Sequence, residues 1–269
     1  HKVMSETFTG SIRLSCSQRD GSNWLKPNPG AGVTEVSDPS TAFSSSAIFS
    51  PTLADRRQEK IKLYGNWQPD EKLALQFTAE GGTNKYTMPT AYALQNTRLS
   101  LYSVDGTYAI SDNWNLTAYA SWGQQSQNQA RPAGSVMAFE TTNTSAGLGV
   151  TGKPTSKLEV GGTLSYVNEK SVYAQSLETY AGADSAALLA ATGGLPSITF
   201  RQTALKLFGK YDLDKKSVIG ANLVYARVLS NDWAWGWNGT PFTYGDNTTM
   251  SLNQNQSMTY VGVTYTYKF

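Results

Sequence analysis

The last thirteen residues, Ser257 to Phe269, alternate without interruption. Val261, Val263, Tyr265, Tyr267 and Phe269 fall on one side of an extended chain, with Tyr260, Gly262, Thr264, Thr266 and Lys268 on the other. A strand with a large apolar residue at every second position, ending on an aromatic, has the form of the closing strand of an outer-membrane barrel. Those five outward residues are then its assembly signal, and hydrocarbon is its solvent on one side.

The same period recurs along the chain. Phe8, Gly10, Ile12, Leu14 and Cys16 alternate with Thr7, Thr9, Ser11, Arg13 and Ser15. Ile61, Leu63, Gly65 and Trp67 enter a turn at Gln68-Pro69-Asp70-Glu71, and Leu73, Leu75, Phe77 and Ala79 leave it. Further hairpins are read through Ser111-Asp112-Asn113, Gly152-Lys153-Pro154 and Asp212 to Ser217. The set amounts to about ten strands, most at the roughly 9 to 11 residues a tilted barrel strand needs. Long polar stretches near 17–55, 81–97, 124–144, 168–197 and 229–256 separate the hairpins and are expected as extracellular loops, with the short turns periplasmic. The expected fold is all-β, a transmembrane antiparallel up-and-down barrel occupying residues 1–269 in the bacterial outer membrane.

Two girdles are legible. Trp67, Tyr108, Trp114 and Tyr211 lie beside short turns, as Phe269 does, whereas Trp122, Tyr166 and Tyr225 lie at the far strand ends. A soluble sandwich would alternate too, but it explains neither the girdles nor the long and short connections. The opposite face carries Lys60, Lys62, Asn66, Gln76, Glu80, Asp105, Asn115, Glu159, Gln202, Lys206, Lys210 and Asn222, a mixed set expected to face a lumen or a polar partner.

Composition removes several functions. No stretch approaches the roughly 18 apolar residues of a membrane helix. A net charge of +2 with scattered basic residues gives nucleic acid no footprint. Cys16 is the single cysteine, so the chain carries no CxxC pair and no CxxCH haem attachment, and no cofactor is expected on it. The outer-membrane proteases of the omptin type and the phospholipase A barrel need a histidine base. His1 is the sole histidine here, so no catalytic residue is assigned and no enzyme is expected. Asp232 and Asp246 near Trp233, Trp235 and Trp237 could hold a cation or a sugar, but loop acids beside interfacial tryptophans are the simpler reading. Gly81-Gly82 and Gly193-Gly194 lack the strand-to-helix context of a phosphate loop, and Asp184 to Ala191 is read as a short loop helix. No metal site is assigned.

More specific residues lie in the last third: Leu195 to Thr203, Leu205 to Leu213, Asp232-Trp233-Ala234-Trp235, and Asn253 to Ser257 leading into the closing strand. Together with Asp55-Arg56-Arg57, Trp67-Gln68-Pro69, Tyr108 to Trp114 and Ala118 to Gly123, they resemble the MtrB/PioB family of decahaem-associated outer-membrane barrels. The resemblance implies a sheath that positions a multihaem c-type cytochrome in its lumen for electron transfer across the outer membrane. The c-type haems sit on that partner, and an extracellular multihaem cytochrome is a further possible partner. A passive porin is the alternative. Family barrels are larger than about ten strands can make, and the chain opens on His1 without a leader; it is therefore expected to be the C-terminal portion of a bigger barrel.

Overall fold

Alternation leaves every strand with a face that only an apolar medium outside the chain can bury. The structure, a computed structural model, describes residues 2–21, 55–87, 93–130, 135–177, 187, 195–232, 236–237, 240–241, 243–249 and 253–269. Its strands in chain order are β1 (Lys2–Met4), β2 (Phe8–Arg19), β3 (Asp55–Trp67), β4 (Leu73–Thr87), β5 (Ala93–Ser111), β6 (Trp114–Ala130), β7 (Ser135–Thr155), β8 (Leu158–Leu177), β9 (Leu195–Asp212), β10 (Ser217–Asn231), β11 (Gly236–Trp237), β12 (Thr240–Pro241) and β13 (Gln256–Tyr267). β11 and β12 form a small hairpin of their own. The other eleven make one sheet in the order β1 to β10 and then β13, each antiparallel to its neighbours. Ten long strands and the short β1 thus give the up-and-down meander expected from the period.

Among the described residues only Ala204 and Ala226 are buried apolar side chains, whereas Leu14 is 74% and Val263 75% exposed. A sandwich needs an internal core, and none is present among these described residues. The alternating residues therefore build a single wall.

Three short turns share one device. The Asp70 carboxylate accepts hydrogen bonds from the amides of Lys72 and Leu73 at 2.8 and 2.9 Å. Asp214 accepts from Lys216 and Ser217 at 2.7 and 2.9 Å, and the Thr155 hydroxyl accepts from Lys157 and Leu158 at 3.3 and 3.1 Å. A short side chain that satisfies the next two turn amides fixes the reversal and with it the register.

Two expectations are corrected. Strands of 19, 17, 21, 20 and 18 residues at β5 to β9 far exceed a membrane span. Much of 81–97 and 124–144, expected as long loops, is accordingly strand: β4 runs to Thr87 and β5 starts at Ala93, while β6 runs to Ala130 and β7 starts at Ser135. Beyond the belt both faces meet water, so the apolar alternation fades while the backbone ladder continues. Residues Asp184 to Ala191, but for Ala187, lie outside the described residues, as do Gly193, Gly194, Trp233 and Trp235.

The sheet is open. Its edges, β1 and β13, both run toward the short-turn end, so direct pairing of the two would be parallel. An all-antiparallel wall closes only with an odd number of further strands between them.

Candidate functional site: a two-faced membrane wall

Residues paired across antiparallel strands point to the same side, so the registers sort the whole sheet into two faces. Leu14 pairs with Ile61, Leu63 with Ala79, Phe77 with Val104, and Val104 with Ala120. Ala118 pairs with Leu148, Leu148 with Leu164, Leu164 with Leu205, and Leu223 with both Leu207 and Val261. One apolar face therefore continues without a break from β2 to β13. Between its aromatic rims it carries no Asp, Glu, Lys or Arg.

The rims follow the turns. Trp67, Tyr108, Trp114 and Tyr211 project from this face at the short-turn end, joined by Phe8, Tyr267 and Phe269, and the Tyr267 and Phe269 rings meet edge-on at 5.3 Å. Trp122, Tyr166 and Tyr225 occupy the other end of the same face. Tyr102, which the sequence reading passed over, pairs with Trp122 with ring centroids 5.7 Å apart. The five assembly-signal residues also lie here, at Val261, Val263, Tyr265, Tyr267 and the terminal Phe269, with Val263 between the rims.

The twelve polar positions read from the sequence all fall on the opposite face. Lys60, Lys62 and Asn66 of β3 meet Glu80 and Gln76 of β4; Gln76 pairs with Asp105. Asn115 continues through Thr151, Gly161 and Phe208 to Asn222. Glu159 pairs with Lys210, Thr163 with Lys206, and Gln202 lies between Val167 and Val228. Glu80 stands 3.6 Å from Lys62 and 3.9 Å from Lys60, and Glu159 is 3.8 Å from Lys210. At their exposure such pairs contribute at most about 1 kcal/mol each. Hydrogen-bonded rungs add to this face, among them Gln58 to Asn84 at 2.7 Å, Asn84 to Thr97 at 2.8 Å and Ser121 with Ser145 at 2.7 Å.

Charge on the polar face is segregated by strand. Arg13, Arg19, Arg56, Lys60 and Lys62 load β2 and β3, Glu80, Asp105, Glu159 and Glu169 follow across β4 to β8, and Lys206 and Lys210 bring positive charge back on β9, which ends on Asp212. Arg13 sits directly opposite Lys62, and Arg19 opposite Arg56, whose buried Nε has no hydrogen-bond partner. Like charges at a cross-strand pair are destabilising. Arg13, Arg19, Arg56 and Glu169 were not among the sequence candidates. Arg13 already alternates with the apolar run of β2, and parity carried three to five residues past the apolar cores of β2, β3 and β8 would have found Arg19, Arg56 and Glu169.

Aromatic rings on the polar face lie against the wall. Tyr119 covers Gly147 on β7 and Phe208 covers Gly161 on β8, each filling the volume a Cβ would take. A larger residue at either glycine would push the ring away from the sheet.

The loop acids have local roles. The Asp246 carboxylate accepts from the Thr248 hydroxyl and amide at 2.6 and 2.9 Å, bonds that hold its pKa below 3.8, and Asn247 after it takes φ 66°. The Asp232 backbone exchanges hydrogen bonds with the Gln254 amide side chain at 2.7 and 2.9 Å.

A sheet with one unbroken apolar face, two aromatic rims and a polar reverse defines an outer-membrane β-barrel. The family model for outer membrane beta-barrel porins of the MtrB/PioB type matches residues 2–269, and the chain belongs to that family. No curated protein matches it. Among solved structures, the FrpB iron transporter from Neisseria meningitidis in its apoprotein form superposes with a TM-score of 0.64 at 10% identity, over 99% of this chain and 40% of that one. The copper transporter OprC gives 0.62 at 10% identity, over 98% and 38%. The Serratia marcescens hemophore receptor HasR, in complex with its hemophore HasA and heme, gives 0.57 at 12% identity, over 99% and 38%. At such identity the likeness is one of fold. The chain spans about two-fifths of the length of these structures. Family and neighbours alike are porin and transporter barrels rather than enzymes.

Proposed function

We propose that this wall forms part of a larger closed barrel whose polar lumen sheathes a multihaem c-type cytochrome, so that electrons cross the outer membrane along the partner's haems. The reading rests on membership of the MtrB/PioB family over residues 2–269, which the haem-sheath role accompanies by resemblance. The open, odd-stranded sheet is consistent with a wall completed by further strands.

The observation that carries the partner is the like-charge pairing on the polar face. Arg13 against Lys62 raises the energy of the empty wall, and Arg56 on the same strand as Lys62 keeps a buried Nε without a hydrogen-bond partner. An acidic protein surface seated against β2 and β3 relieves that repulsion, while the acids of β4 to β8 select basic groups beside it. The haems themselves belong to the partner. This chain supplies an apolar outer wall, a low-dielectric barrier between the haem chain and lipid, and a charge pattern that fixes the partner's orientation.

A passive porin is the second reading, favoured by the family's description as porins. Purification from native membranes in mild detergent separates the two. The sheath reading expects a haem-staining cytochrome at fixed stoichiometry and little ion conductance from the complex in a planar bilayer. A colourless barrel that conducts ions contradicts it and supports the porin.

A further inference from the structure

The apolar face is free of charge between its rims, and charge returns to the strands of this face past the upper girdle. Past the upper girdle, on the side of the long connections, the same outward parity brings Arg57 on β3, Lys85 on β4, Arg98 on β5, Lys170 on β8, Arg201 on β9 and Arg227 on β10. All six are exposed. The outward acids at this level include Asp55, whose carboxylate accepts the Gly21 amide at 2.6 Å, Glu59, which pairs with Arg57 at 2.8 Å, Glu140, and Asp20 just past the end of β2.

The cations gather into two groups. Arg57 is the direct cross-strand partner of Lys85, and Arg98 is the diagonal neighbour of Lys85 through its pair Asn96. Lys170 pairs with Thr199, two residues from Arg201, and Arg201 pairs with Leu229, two residues from Arg227. Diagonal positions lie about 7–8 Å apart, a separation two long side chains close easily around one tetrahedral anion. The β8–β10 group is the freer one. None of Lys170, Arg201 and Arg227 has an ion-pair partner among the described residues, although Glu140 is a diagonal neighbour of Lys170.

Their height is set by the girdle. Lys170 lies four residues beyond Tyr166, and Arg227 two beyond Tyr225. Four residues make about 13 Å along a strand and about 10 Å along the membrane normal once tilted. That level is the headgroup layer, and short turns on the periplasmic side make it the outer leaflet.

We propose that Lys170, Arg201 and Arg227 form a binding site on the outer wall for the phosphate groups of lipopolysaccharide, the anionic glycolipid of the outer leaflet. Guanidinium groups grip phosphate oxygens in pairs, the ammonium adds a point charge, and the acyl chains of the bound lipid cover the apolar face below. The Arg57, Lys85 and Arg98 group extends the same belt on β3 to β5. This inference concerns the outer face and stands whether or not a cytochrome fills the lumen.

The test uses the purified full-length barrel and native mass spectrometry. Its probes are lipid A with both phosphates, the same lipid A dephosphorylated, and inorganic phosphate as competitor. Wild-type protein is expected to retain phosphorylated lipid A at least ten-fold better than the dephosphorylated lipid, with inorganic phosphate at equal concentration failing to displace it. The K170Q/R201Q/R227Q variant is expected to lose that preference, and a control with K206Q/K210Q on the polar face to keep it. Equal retention of the two lipids by wild-type protein overturns the proposal, and needs no variant to fold. A preference that survives the triple substitution overturns the assigned residues, and displacement by inorganic phosphate overturns the lipid assignment.

Discussion

The ring of Tyr119 on β6 lies across Gly147 on β7, filling the volume in which a Cβ would stand. Gly147 is therefore a fitted position on the polar face, where a side chain and the ring cannot coexist without movement. Gly147→Val is expected to cost about 1–3 kcal/mol through overpacking. Tyr119→Ala in the same chain should restore most of it. Thermal midpoints of the heat-modifiable band in detergent measure both, and equal midpoints for the single and double variants would show that the contact carries no strain.

Neighbouring residues of the closing strand should respond oppositely to one substitution. Val263→Arg puts a cation between the rims of the lipid face and is expected to cost about 2–4 kcal/mol, whereas Thr264→Arg on the polar face should be tolerated. A charged residue at Phe269 should likewise lower membrane yield, since it ends the girdle and the strand the assembly machinery reads. Yield of folded protein in outer-membrane fractions reports all three.

The turn between β9 and β10 should be pH-sensitive through Asp214. The amide of Lys216, followed by the bonds from Ser217 and the nearby charge of Lys157, holds its carboxyl below the usual 3.8. A carboxyl whose pKa is lower folded than unfolded stabilises the fold above pH 3.8, and that contribution is lost as pH falls through the folded value. Asp214→Ala should thus unfold at lower urea than wild type at neutral pH, with the gap closing below pH 3.8. Asp214→Asn, which keeps an acceptor oxygen, should lose less and show no such pH dependence.

Arg13 opposite Lys62 separates stability from binding. Arg13→Gln should leave the stability of the isolated barrel unchanged or raise it by a few tenths of a kcal/mol, because it removes a like-charge pair. The same change should weaken retention of the cytochrome most at low ionic strength, and less as salt screens the lost charge. Retention measured by haem absorbance per barrel at two salt concentrations checks it, and an unchanged ratio counts against β2 and β3 as the seat.

Much of this was legible in the sequence because a lipid-facing strand has one physical requirement, an apolar residue at every second position. Val261 to Phe269 and Trp114 to Trp122 satisfy it over their whole length, and the registers place them on one continuous face. The requirement lapses above the girdle. Thr141, Thr142, Asn143 and Thr144 read as loop by hydropathy, yet pair in order with Ser171, Lys170, Glu169 and Asn168. Threonine-rich polar segments keep their strand conformation through the backbone ladder and β-branching, which hydropathy does not sense. The two basic groups of the outer rim were missed for the same reason. Lys85 and Lys170 look like loop charges until parity is followed past Ala79 and Tyr166. The open edges at β1 and β13 could not be read either, since strand order follows from pairing and not from period.

A spin-label scan of residues 258–267, each position as a single cysteine in a Cys16→Ser background and in native outer membranes, tests the two-faced wall most directly. Collision with dissolved oxygen should peak at 261, 263 and 265, and collision with a water-soluble nickel chelate at 260, 262 and 264. Accessibility without a period of two, or with the phases exchanged, would contradict the account.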